Sequence, residues 1–166
     1  MKRKTRKCRQ PQPSRGAGPA VPALPGQIEG ETRAVDLVAA YVRGDVQQIA
    51  ACGLQGDELA RAYMWQMLDG MLSDAVLADP GFDLSRRAVM PPAGVAWLST
   101  VPMSEDVAAL VWGLAGDGGA GPWLRMSAED RATAYAVSIA ARGIAVWGPH
   151  RLLTHLARTR AAVSRP

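Results

Sequence analysis

From Thr32 onward the apolar residues recur at helical rather than strand spacing. In TRAVDLVAAYVRG, Val35, Val38 and Val42 fall three or four positions apart, flanked by Ala34 and Tyr41. Thr32 reads as an N-cap, Gly44 as a stop, and Asp45 as the N-cap of a short second helix, VQQIAAC. Arg43-Gly44-Asp45 also spells an adhesion motif, but a helix stop followed by a helix start accounts for it. The same punctuation recurs at Gly56 and Asp57. A third helix is predicted over Glu58–Leu77, with two apolar rows at four-residue spacing. They are Leu59, Tyr63, Met67, Met71, Ala75 and Ala60, Met64, Leu68, Leu72, Val76. At about 100° per residue these rows cover more than half the circumference, so this helix is expected at the centre of the fold. Its methionines are read as core filling, and Asp74, near its end, as reaching water.

The segment 79–103 is predicted to be irregular, with GVAWLST either a short strand or an extended stretch held by Trp97. Ser104 then caps a helix carrying Val107, Leu110, Val111 and Leu114 on one face. A Gly-rich loop, 116–122, separates it from a helix that Ser127 and Asp130 open as a capping box and that runs to Trp147. The inner face of that helix is small: Ala132, Ala136, Ala140 and Gly143. Gly148 stops it, and Pro149 starts a last helix to Val163 with Leu152, Leu153 and Leu156 as its buried edge. No fixed-period repeat is present. The pattern predicts an all-α fold, a compact bundle of five or six helices over residues 31–166.

Residues 1–30 break this pattern. They are basic, then rich in Pro and Gly, and too poor in bulky side chains to bury a core, so a disordered tail is expected. Lys2, Arg3, Lys4, Arg6, Lys7, Arg9 and Arg15 give the first fifteen residues seven basic side chains and no acid. The whole chain of 166 residues has a formal charge of +4, but beyond residue 15 there remain 12 Arg against 15 acids, a net of −3. The cationic character is therefore local. With Asn absent and Ala, Arg, Gly and Pro abundant, the composition is that of GC-rich coding and suggests a bacterial, actinobacterial-like source. The apolar stretch after the basic start, GAGPAVPALPG, is interrupted by proline, unlike a secretory signal, and nothing approaches the roughly 20 apolar residues of a membrane span. Cys8 and Cys52, the only cysteines, make neither a disulfide framework nor a four-ligand zinc site, which suits a reducing cytoplasm.

Candidate chemistry is sparse. GDGGAG matches G-x-G-x-x-G, yet a helix precedes it and Pro122-Trp123 follow, so the strand and helix N-terminus that would cradle a pyrophosphate are missing. His150 and His155 are the only histidines and sit about 140° apart on one helix, a poor geometry for a metal pair. The carboxylate pairs Asp57/Glu58, Glu105/Asp106 and Glu129/Asp130 lie at helix starts, where the helix dipole explains them. The sequence thus nominates no catalytic, cofactor-binding or metal-binding residue. It does place Arg151, His155 and Arg158 on one stripe of the last helix, suited to nucleic acid or an acidic surface. Trp97 and Trp123, expected in loops, are candidate anchors for a protein partner.

The expected function is a non-enzymatic accessory or regulatory protein-interaction domain, whose basic N-terminal arm adds electrostatic attachment to nucleic acid or another acidic surface. A helix-turn-helix DNA-binding regulator built on the last two helices is the first alternative. An unrecognised enzyme, marked by a pocket where Asp74 or His150 meets other polar groups, is the second.

Overall fold

The structure, a computed structural model, describes residues 24–52, 57–80, 89–115 and 126–165. Seven helices lie within them: α1 (Pro25–Arg43), α2 (Val46–Ala51), α3 (Glu58–Leu77), α4 (Pro92–Leu98), α5 (Glu105–Ala115), α6 (Ala128–Trp147) and α7 (Pro149–Val163). No strand occurs among the described residues. The fold is all-α as the periodicity predicts, with one helix more than the upper expectation. The additional helix is α4, in the segment expected to be irregular; GVAWLST belongs to a helix and a turn, not a strand. Pro91 and Pro92 hide this helix from a propensity reading, although a proline suits a first helical position.

Local signals fixed most helix ends. The Asp45 side chain accepts from the Gln48 amide, and that of Asp57 accepts from the Ala60 amide at 2.7 Å. The Ser127 oxygen accepts from the Asp130 amide at 3.0 Å, while its hydroxyl donates to the Asp130 carboxylate at 2.7 Å. Each bond satisfies an amide that the helix itself leaves unpaired. The start of α1 is where the pattern misleads. It begins at Pro25, so the stretch 25–30 assigned to the disordered tail is helical and Thr32 lies within the helix. Gly30, a loop signal in the sequence, is buried against α3: a Cβ there would sit 2.1 Å from the Ala60 carbonyl oxygen. Glycine is present because the two backbones touch.

The central helix is α6, not α3. Of α3, only Ala60, Met64, Leu68 and Ala75 are buried, and Leu59 is exposed. It packs on α1 and α6 alone, whereas α6 packs on α1, α3, α4, α5 and α7 and buries ten residues. Side-chain size is the cause. Ala132, Ala136, Ala140, Ala141 and Gly143 let five neighbours approach one axis, while the long side chains of α3 fill the space beside it. Val35, Val38, Met64, Leu68, Leu98, Val111, Leu152 and Leu156 close around α6 as one core.

The α6–α7 junction consists of Gly148 alone, at φ 76° and ψ 159°, backbone that favours glycine. It turns the chain so that α7 packs along α1, where Arg160 pairs with Asp36 at 2.7 Å. Among the described residues no helix is long and apolar enough to cross a membrane.

Candidate functional site

Among the described residues the outer face of α7 presents a polar surface. Leu152 and Leu156 point into the core, and Arg151, Thr154, His155 and Arg158 consequently project outward at i, i+3, i+4 and i+7. Together with Trp147 and His150 they line an open groove of about 500 Å³. The stripe read from the sequence is therefore exposed as one surface. Trp147, from the end of α6, was not assigned to it by spacing. The Gly148 junction carries its indole beside His155, with ring centroids 5.7 Å apart and planes inclined by 31°. His150 also lines the groove despite its angular offset from His155, because the groove extends across the first turn of α7.

The charge of this surface is one-sided. From Arg131 onward the chain contains six arginines, two histidines and no acid. Arg160 is engaged with Asp36, and Arg142 is buried in α6, 3% exposed, its Nη1 3.5 Å from the Val89 carbonyl oxygen. Burial lowers the Arg142 pKa from its ordinary value, and Asp79 opposes that shift. Arg151 and Arg158 have no carboxylate partner among the described residues, so their charge faces water.

Two further grooves lie among the described residues. One, of about 160 Å³, lies between α3, α6 and α7 and is lined by Met67, Met71, Asp74, His155 and Thr159 among others. Asp74 is exposed there and lines the groove with His155 and Thr159, whereas His150 lies in the groove on the outer face of α7. Asp74 thus meets His155 and Thr159 in one groove, and His150 meets Arg151, Thr154 and His155 in another, the kind of convergence expected of the enzyme alternative. Among the described residues no three His, Cys, Asp or Glu side chains are grouped to hold a metal ion.

The other groove, of about 300 Å³, opens between the end of α1, α2 and α4. Trp97 lines it with Val42, Val46, Ile49, Val101 and Pro102, and Arg43 stands at its edge. Trp97 is thus a half-buried helix residue rather than a loop residue, and it faces a largely apolar depression. Tyr41 lies in the same wall; burial pushes its phenol up, and a hydrogen bond with Thr133 partly offsets this. The remaining tryptophans differ in exposure. Trp65 packs edge-on to Tyr135 and under Arg131, while Trp112 on α5 is 42% exposed.

Trp123, the Gly-rich loop 116–122 and the basic residues Lys2, Arg3, Lys4, Arg6, Lys7, Arg9 and Arg15 lie outside the described residues. No known protein family, curated protein or solved structure matches the chain.

Proposed function

We propose that this protein is a non-enzymatic interaction domain of the bacterial cytoplasm that attaches to an anionic macromolecule, nucleic acid foremost, through the outer face of α7. The basic N-terminal arm supplies a second electrostatic anchor. One observation carries the reading: Arg151, Thr154, His155 and Arg158 share an exposed stripe, and among the described residues no carboxylate lines the groove. Such a face gains free energy by displacing counterions from a phosphate backbone, without needing a particular base sequence. A helix-turn-helix fits less well. That motif joins its helices by a turn of about three to four residues, and here Gly148 alone separates α6 from α7.

The test is binding of the full chain, of an Arg151→Ala/Arg158→Ala variant, and of a chain lacking the basic arm to random duplex DNA across a salt series. Each lost phosphate contact flattens the slope of log affinity against log salt by about 0.9. The double variant is expected to lose one to two such contacts, roughly one per guanidinium. An unchanged slope in that variant, with binding abolished by removal of the arm, would assign attachment to the arm alone.

The groove around Trp97 favours a second, compatible reading, a protein partner. Val46 is 70% exposed beside it, and Arg43 offers a charge at the rim of an otherwise apolar depression. An apolar side chain next to a carboxylate on the partner would fit. Cross-linking in cell extract tests this: a Val46→Glu chain should lose a partner that the Arg151→Ala/Arg158→Ala chain retains.

A further inference from the structure

We infer that the α7 groove is a stacking site for a base of single-stranded nucleic acid; this rests on the reading of α7 as the anion-binding face. Charge alone would attract duplex and single strand alike. Three features distinguish them.

The first is the aromatic pair. The ring centroids of Trp147 and His155 lie 5.7 Å apart with the planes tilted by 31°, so two aromatic rings border the groove side by side. Trp147 is anchored by partial burial in the core, and His155, on the solvent side of α7, is exposed. A duplex keeps the faces of its bases inside its own stack and presents only edges in the grooves. A single strand offers the base faces themselves, and stacking on an aromatic surface tolerates any base.

The second is the order of groups along α7. Arg151 precedes His155 by one helical turn, and Arg158 follows it by about another. The two arginines thus bracket His155 along the helix, their Cα atoms separated along the axis by about 10 Å. Phosphate, base and phosphate alternate in the same way along a single strand. Thr154 and His150 complete the groove wall with polar groups of no fixed negative charge.

The third is size. A groove of about 500 Å³ has the volume of sites that take small organic ligands, enough for a nucleotide. Among the described residues no carboxylate lines it to repel the flanking phosphates; Asp74 lies in the neighbouring groove.

The experiment measures fluorescence anisotropy of a labelled oligothymidylate of about 15 nucleotides, within the span such proteins cover. A duplex of equal length is measured in parallel, with the full chain and over a salt series. Stacking outlasts counterion release as salt rises, so a preference for the single strand of about tenfold should persist at high salt. His155→Ala removes an exposed ring and should weaken oligothymidylate binding at least about fivefold and duplex binding by less, so that the preference for the single strand falls. Trp147→Leu, which keeps an apolar side chain against the core, should do the same. Equal binding of both nucleic acids, lost together in the Arg151→Ala/Arg158→Ala chain, would overturn the stacking site and leave the anionic-face reading standing. Binding indifferent to both arginines would remove that reading and the stacking site with it. Displacement of the oligonucleotide by polyglutamate at equal charge concentration would identify the occupant as an acidic protein and overturn the inference.

Discussion

Replacing Gly30 by alanine tests the contact on which α1 and α3 meet. A Cβ added there would lie 2.1 Å from the Ala60 carbonyl oxygen, 2.9 Å from the Met64 nitrogen and 3.0 Å from the Ala60 carbonyl carbon. All three atoms are backbone, so no side chain can rotate away. Ordinary contact begins at 3.4 Å, and restoring it requires the helices to separate by more than an ångström. A gap of about 0.5–1 Å already forfeits a quarter to a half of the dispersion attraction between facing atoms. Overpacking of this kind costs about 1–3 kcal/mol, and the upper end applies because the obstruction is rigid. Alanine returns up to about 1 kcal/mol through helix propensity, leaving a net loss near 2 kcal/mol. Gly70 on α3 is the matched control, since a Cβ there meets nothing within 4 Å. Gly70→Ala is expected to stabilise by about 0.5–1 kcal/mol. Urea denaturation followed by circular dichroism reads both, and each kcal/mol also shifts Tm by about 2–4 °C in a chain of this size. A Gly30→Ala protein at least as stable as the parent would refute the close crossing of α1 and α3.

Two further outcomes follow from the core. Leu152→Ala should cost about 2–5 kcal/mol in the same urea assay: the side chain is 1% exposed and fills the space that Gly143 leaves open. Stability should also fall with alkalinity. Burial is the main cause raising the pKa values of Cys52, Tyr41 and Tyr135, so the folded chain keeps protons that the unfolded chain releases. This contribution is complete below the ordinary thiol value of 9.0 and is lost as pH rises through the folded values. Urea midpoints across that range check it, and Cys52→Ala should delay the onset of the decline.

Helix ends that depend on a side chain and its nearest amides were legible in the sequence. Asp45, Asp57 and Ser127 announce themselves because their partners lie three residues away. Gly30 shows where that reading stops. In PGQIEGETRA a glycine signals a loop, and only the Ala60 carbonyl, thirty positions downstream, reveals that its lack of a side chain serves packing. The central role of α6 was obscured for a related reason. Two apolar rows mark α3 as central, but the helix that most neighbours can approach is the one with the least bulk. On α7 the periodicity found Arg151, His155 and Arg158 because they share one helix. Trp147 escaped it, since its approach to His155 depends on the direction the chain takes at Gly148.

The lateness of α6 and α7 in the chain bears on how the protein comes into being. Domains tend to fold as units while synthesis proceeds from the N-terminus. Here α1, α3, α4 and α5 emerge before the helix they all surround or border, and the Asp36 carboxylate meets Arg160 across 124 positions. During translation the apolar stripe of α1, including Val35 and Val38, has α3 to lean on but lacks both α6 and α7. The nascent chain therefore carries unfinished hydrophobic surface until α6 and α7 emerge, the kind of surface that makes a folding intermediate prone to aggregate. A message truncated within α6 would release a chain without its hub, a substrate for proteolysis rather than a smaller version of the fold.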